Sequence, residues 1–192
     1  MVDWTQPVTQ HSLMHEMGLS DQEIAQRKEF LEFRDEDAER LRGLHELARK
    51  YADTVIEDFY RHLLAFEETR AFFTDPAVLE RVKLRQKHYF LRLTQGPYDA
   101  AYAEERLNIG AVHERINLPV KSYLGAYNFY LRAVAVRLLE AYKNDLEQVF
   151  PAFLSLLKLV FLDMGLALET YLYHRERTIR WPCRMATRPQ TV

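Results

Sequence analysis

Leu107-Asn108-Ile109-Gly110-Ala111-Val112-His113-Glu114-Arg115-Ile116-Asn117-Leu118-Pro119-Val120-Lys121-Ser122-Tyr123 carries one histidine near the end of a predicted helix, a proline six residues later, and then a long apolar helix. A helix end holds a side chain at a fixed angle, and a neutral imidazole is the commonest protein ligand for iron and zinc. The same residue also fits as an ordinary surface or core histidine, and the stretch alone leaves both open. Gly110 lies three residues before His113 on the same helical face. The missing side chain there leaves room for something flat and bulky to approach the backbone.

The chain around this stretch reads as helix almost throughout. Glycine and proline are scarce, 6 and 7 in 192 residues, while Tyr and Phe number 11 each. Few breakers and many Leu, Ala, Glu and Arg residues favour helices, and no strand pattern or internal repeat is present. The length fits one domain. A net charge of −2 without a basic stripe argues against nucleic acid as a partner. The single cysteine, Cys183, excludes an internal disulfide and any cysteine-rich metal site. The N-terminus lacks the basic start and apolar core of a signal peptide. Lys158, Asp163 and Glu169 interrupt the most apolar region, Phe150 to Leu172, so no membrane span is expected and the protein is expected to be cytoplasmic.

Residues 1–19 are expected to be a flexible N-terminal arm. His11 and His15 within it are four apart, a spacing that fits a two-histidine metal site or, with no third ligand close, a solvated arm. Ser20 and Glu23 form a capping box for a first helix to about Phe33. Asp35 is the expected N-cap of the next, which runs from 36 to 65 as one long helix or two joined by a kink. Phe59-Tyr60 sits on it as core packing or as part of a pocket. After a connector containing Phe72-Phe73, Asp75-Pro76 opens a helix with Leu79, Val82, Gln86, Tyr89, Phe90 and Leu93 on its inner stripe. Gln86 is the polar member, exposed at the stripe's edge or turned into a pocket.

Tyr98-Asp99 opens the helix that leads to His113, and Asn117-Leu118-Pro119 closes it. Tyr123, Tyr127 and Tyr130 lie on the helix after Pro119. The last helix starts at Leu146 or Pro151 and runs to about Thr178. In Phe153 to Leu162 nearly every position is apolar, more than one core-facing stripe of about 100° needs, which points to a partner subunit. Residues 181–192 are expected to be a disordered tail.

No Gly-rich phosphate loop, Gly-x-Ser-x-Gly elbow, His-Glu-x-x-His helix or Glu-x-x-His pair is present, and no catalytic residue is assigned. One histidine in an aromatic-rich helical chain suits haem better than other metals.

Residues 106–123 resemble the proximal-histidine motif of the globin-coupled sensors, the oxygen-sensing branch of the globin superfamily. The match rests on Ile109, Gly110, His113, Arg115, Ile116, Leu118, Pro119 and Tyr123. Asn117 departs from the usual glycine but tolerates the left-handed backbone such a turn needs. Asp58-Phe59-Tyr60 is similar to the family's distal Phe-Tyr pair, with Tyr60 lying 53 residues before His113. Gln86 to Tyr98 is similar to its Gln-rich helix ending in Gly-x-Tyr-Asp. Together these cover residues 20–178.

The resemblance implies an all-α globin fold, a helical sandwich with an extra N-terminal helix and a long C-terminal helix, over residues 20–180. It implies haem b (iron protoporphyrin IX) with His113 as its metal ligand. The His113 Nδ1–H would meet a backbone carbonyl one turn back, and Tyr123 would adjust that bond. Tyr60 would face the gas. Val82, Gln86, Tyr89 and Phe59 would line the pocket; Phe72, Phe73 and Phe90 are further wall candidates or core. Arg85 and His88 would meet haem propionates or remain in solvent. O2 is the expected ligand, with NO and CO as others, and a homodimer through the last two helices would pass the signal to an unknown downstream protein. Two other functions fit: the sensory part of a longer regulator (a diguanylate cyclase, histidine kinase or chemotaxis transducer), and a haem enzyme such as an NO dioxygenase. A haem-free helical interaction domain is the remaining one.

Overall fold

The computed structural model describes residues 12–185, with side chains up to Glu176. Among the described residues there are helices only: α1 (Leu13–Met17), α2 (Asp21–Phe30), α3 (Asp35–Gly43), α4 (His45–Leu64), α5 (Glu67–Arg70), α6 (Pro76–Arg92), α7 (Ala100–Arg115), α8 (Val120–Ala141) and α9 (Leu146–Met185).

Local chemistry sets most of the boundaries. Ser20 Oγ accepts the Glu23 N–H at 3.3 Å to start α2. Asp75 accepts the Ala77 N–H at 2.8 Å with Pro76 beside it, and Asp99 accepts the Tyr102 N–H at 3.1 Å. Each takes up one of the donors that a helix start leaves unpaired. The end of α7 is closed by a Schellman motif: the Leu118 N–H donates to His113 O at 2.9 Å and the Asn117 N–H to Glu114 O at 2.8 Å. Asn117 supplies the left-handed residue, with φ 55°. His113 therefore sits three residues from the helix end, at a turn with defined geometry.

Three boundaries differ from the sequence expectation. Arg34, not Asp35, is the N-cap of α3, and Asp37 reaches back to the Arg34 N–H at 2.9 Å. Asp37 is selected because α9 also holds it, through Ser155 Oγ at 2.7 Å and Lys158 Nζ at 3.0 Å. The region 36–65 is the second of the two arrangements the sequence allows, two helices joined at Leu44. Residues 12–19 are not a flexible arm. The Glu104 carboxylate accepts from Ser12 Oγ (2.8 Å), Leu13 N (2.8 Å) and Met14 N (3.0 Å), an anion at a helix N-terminus. Leu13 and Met14 are buried beneath it. His11 lies outside the described residues, so the His11–His15 pair does too. At the other end α9 continues helically through residues 181–185, which the sequence assigned to a disordered tail; residues 186–192 lie outside the described residues.

The helices pack in pairs. α4 packs against α6 and α8, while α9 packs against α3, α7 and α8. The most extensive packing is between α7 and α9, and at Gly110 it is tight. A Cβ added at Gly110 would lie 2.5 Å from the Ala167 carbonyl oxygen and 2.8 Å from Ala167 Cα. Gly110 is thus a helix-contact glycine. Its bare face is turned to α9 and not to a bound group, contrary to the sequence expectation.

Residues Leu146–Glu176 of α9 are long and apolar enough, by length and composition, to cross a membrane, which the sequence analysis did not anticipate. Half of the most apolar window is buried inside the protein. Its inward face carries Ser155, Asp163 and Thr170, all fully buried. Ser155 bonds Asp37 and Asp163 bonds side chains of α6 and α7, partners that a helix facing lipid would lack.

Two glycines give opposite expectations. Gly110→Ala forces backbone against backbone and is expected to cost at least about 1–3 kcal/mol. Gly125→Ala, in mid-α8 with nothing within 4 Å of its added Cβ, is expected to gain about 0.5–1 kcal/mol. Urea unfolding of both variants measures the difference; equal effects would refute the tight crossing.

Candidate functional site

A cavity of about 530 Å³ opens where α4, α6, α7 and α8 meet, within the ~300–1,000 Å³ range of small-molecule sites. Phe59, Tyr60 and Leu63 enter from α4, and Phe72 and Phe73 from the connector before α6. Val82, Gln86 and Tyr89 form the α6 wall. Ile109, Val112 and His113 come from α7, and Tyr123, Tyr127 and Tyr130 from α8. The fold therefore brings all seven sequence-predicted site residues (Phe59, Tyr60, Val82, Gln86, Tyr89, His113 and Tyr123) to one space. Their positions follow from helical spacing. Val82, Gln86 and Tyr89 are at i, i+4 and i+7 of α6, as are Tyr123, Tyr127 and Tyr130 of α8, so each helix shows the cavity one stripe.

Arg85 also borders the cavity and is solvent-exposed, whereas His88 is exposed and does not border it. Phe90 is not a wall residue; it lies in the core, stacked on Tyr130 with ring centroids 6.1 Å apart. Tyr60 packs edge-on against Phe59 (5.3 Å) and Phe73 (5.6 Å). Burial raises its pKa, so the hydroxyl keeps its proton and can donate.

His113 is the one imidazole on the cavity. Its ring packs 5.4 Å from the Tyr123 ring at 59°. Nδ1 is buried and makes no hydrogen bond, so the expected bond to a carbonyl one turn back is not formed. Burial pushes the His113 pKa down to about 4. The ring is neutral at physiological pH, the form in which imidazole ligates metal. No group of three or more His, Cys, Asp or Glu side chains that could hold a bare metal ion occurs among the described residues. His113 can thus complete a site only with a group that brings its other ligands with it.

Behind the cavity lies a polar cluster that sequence reasoning missed. Asp163 of α9 is fully buried and accepts from Tyr89 and Tyr102, each at 3.0 Å, with the buried Arg106 at 3.5 Å. The Arg106 guanidinium lies over the faces of the Tyr89 and Tyr102 rings, 4.6 and 4.3 Å from their centroids. Asp163 had registered in the sequence only as an interruption of an apolar run. A charge inside such a run was the available signal, because a buried charge needs a partner. In the sequence Tyr127 and Tyr130 are marked only by their place on the helix after Pro119, and nothing local shows that their hydroxyls are buried.

An all-helical fold that points one histidine into an aromatic-lined cavity is the arrangement of a globin. The chain belongs to the Protoglobin family, whose model matches residues 20–177. It is similar to the haem-based aerotactic transducer HemAT of Halobacterium salinarum, 33% identical over 175 residues, covering 84% of this chain. The match takes in 35% of that protein, so this chain spans about a third of its length. The globin domain of the Geobacter sulfurreducens globin-coupled sensor superposes with a TM-score of 0.73 at 26% identity, covering 77% of this chain and 96% of that one.

The depressed His113 pKa has a measurable sign. Below its ordinary pKa near 6.5 the unfolded chain takes up a proton that the folded chain refuses until about pH 4. The stability this contributes is present above 6.5 and is lost as pH falls through 4. The stability of the ligand-free protein relative to His113→Gln should therefore shrink as urea titrations move from pH 7.5 to pH 4.5. A constant difference would show that the ring is not desolvated.

Proposed function

We propose that this chain is a gas-sensing globin that holds haem b through His113, takes up O2 reversibly and signals through the helices of a dimer. One observation carries the reading: the neutral His113 and the protonated Tyr60 share a single, mostly apolar cavity. The residues fit the group. One imidazole suffices because a porphyrin brings four nitrogen ligands of its own, and the buried, unbonded Nδ1 leaves Nε2 as the nitrogen to hold iron. The lone cysteine allows no Cys-x-x-Cys-His attachment, so the porphyrin is held without covalent bonds. When bound, haem supplies an iron that takes up a diatomic gas.

The chain's own residues then set selectivity. Tyr60 would donate a hydrogen bond toward a diatomic gas that carries partial negative charge, which would favour O2 over CO. One such bond contributes roughly 1–3 kcal/mol, about a ten- to hundredfold change in affinity. Gln86 of α6 brings a second polar group to the cavity that Tyr60 of α4 enters. Phe59, Val82 and Tyr89 limit water in the cavity, and Tyr123 steadies the imidazole by ring contact.

Output through a dimer is supported by α9. Leu146, Phe150, Leu154, Phe161 and Leu172 lie along one exposed stripe of the helix whose other face forms the core. One of the two relatives is a transducer and the other a sensor, which favours sensing over turnover. A second reading, the sensory part of a longer regulator, is supported by the relative's greater length.

Purified protein supplied with haem is expected to show a Soret band that His113→Ala abolishes. Tyr60→Phe should retain the band and release O2 about ten- to a hundredfold faster in stopped-flow measurements; an unchanged off-rate would remove Tyr60 from this role. Light scattering should give a dimer for the natural chain and a monomer for Phe161→Glu. A natural chain that is monomeric at micromolar concentration would refute the α9 interface.

A further inference from the structure

The tyrosines that line the cavity are not equivalent. Tyr89, Tyr123 and Tyr127 join their hydroxyls to one another, and Tyr89 passes on to the buried Asp163. Tyr130 stands one turn beyond Tyr127 on α8 and takes no part in this row. The residue is buried and lines the cavity, and its hydroxyl makes no hydrogen bond to any described residue. Two rings hold it in place. It packs on Phe59 of α4 with centroids 4.5 Å apart and stacks on Phe90 of α6 at 6.1 Å. A phenylalanine would make both contacts equally well, so the hydroxyl adds nothing to this packing. Leaving a buried hydroxyl without a partner is costly.

Gln86 of α6 and Tyr60 of α4 face this hydroxyl without completing a hydrogen bond to it, and both also line the cavity. Burial holds the Tyr130 pKa well above its ordinary value, so the hydroxyl keeps its proton. A phenol has one proton to give and lone pairs that can receive. The Gln86 amide can give to the oxygen, which leaves the Tyr130 proton for a guest in the cavity.

We propose that Tyr130 is a second specificity-determining residue of the cavity: its hydroxyl, together with that of Tyr60, donates to a diatomic guest that carries partial negative charge. This rests on the proposed haem-binding function. The two hydroxyls come from different helices, and Phe59 touches both rings, at 5.3 Å from Tyr60 and 4.5 Å from Tyr130, so one side chain spaces them. O2 has lone pairs on both of its atoms, so two donors need not compete for one acceptor. CO accepts weakly from either, and a second donor therefore widens the difference between the gases. It also means that removing the Tyr60 hydroxyl leaves one donor behind.

The test uses the full chain in two arms. Without haem, Tyr130→Phe should leave the urea midpoint the same or raise it, because the ring contacts stay and a hydroxyl without a protein partner is removed. A lower midpoint would show that the hydroxyl serves the packing and would overturn the proposal. With haem, Tyr130→Phe should release O2 several-fold to about tenfold faster, while CO release changes little. The variant carrying both Tyr60→Phe and Tyr130→Phe should release O2 faster than either single variant. The C–O stretching frequency of the CO-bound protein should rise in Tyr130→Phe, as it does when a donor is lost. Tyr171 of α9 is the control, a buried tyrosine whose hydroxyl is also unpartnered but which does not line the cavity. Tyr171→Phe should leave O2 release unchanged. An O2 off-rate unmoved by Tyr130→Phe, or an equal acceleration by Tyr171→Phe, would overturn the proposal. Absence of a Soret band in the natural chain would refute haem binding itself, whereas a Soret band with an unmoved off-rate removes only Tyr130 from its role.

Discussion

The contact on which the molecule depends is the crossing of α7 over α9 at Gly110 and Ala167. No side chain separates the two backbones, so the helices meet as surfaces of fixed shape. His113 stands one turn further along α7, and the Schellman turn at Asn117 ends the helix just beyond it. The direction in which the imidazole points is thus set from both sides. A larger residue at 110 would lift α7 off α9 and carry the histidine with it.

α9 joins three functions in one helix. Its inner face fills the core with Leu156, Leu159, Leu162 and Leu166. It also places one carboxylate, Asp163, in that core. Burying an ion is costly unless it is paired and hydrogen-bonded, and here one guanidinium and two tyrosine hydroxyls meet it. An apolar residue at this position would pack without that cost. What the carboxylate adds is a buried acceptor at the end of a row of tyrosine hydroxyls that reaches the cavity. The outer face of the same helix presents the apolar stripe. One helix thus touches the hydrogen-bonded rings of the cavity wall on its inner side and the surface on its outer side.

α1 shows how far long-range pairing can override local composition. Its five residues are too few to form an independent helix. Glu104 of α7 supplies the anion for its first turn, and Leu13 and Met14 close over the core. The polar sequence around them suggested an arm because the partner that orders it lies some ninety residues away.

Much of the fold and the cavity was legible in residue order. Ser20, Asp75, Asp99 and Asn117 act through their immediate neighbours, so caps and turns could be read directly. The stripes Val82–Gln86–Tyr89 and Tyr123–Tyr127–Tyr130 follow from helical periodicity, and the spacing of Tyr60 and His113 supported a shared pocket. The sequence by itself thus determined the helices, their amphipathic faces and the residues able to line one cavity, because those depend on contacts within a turn or two. Only the tertiary structure decided that Gly110 faces α9, that Asp37 is held by α9 as it reaches back to the Arg34 N-cap of α3, that residues 12–19 are seated, and that Asp163 meets Tyr89, Tyr102 and Arg106 in the core. Each of these joins residues tens of positions apart, and which faces meet is fixed by packing of the whole, where a single backbone contact or buried charge outweighs local preference.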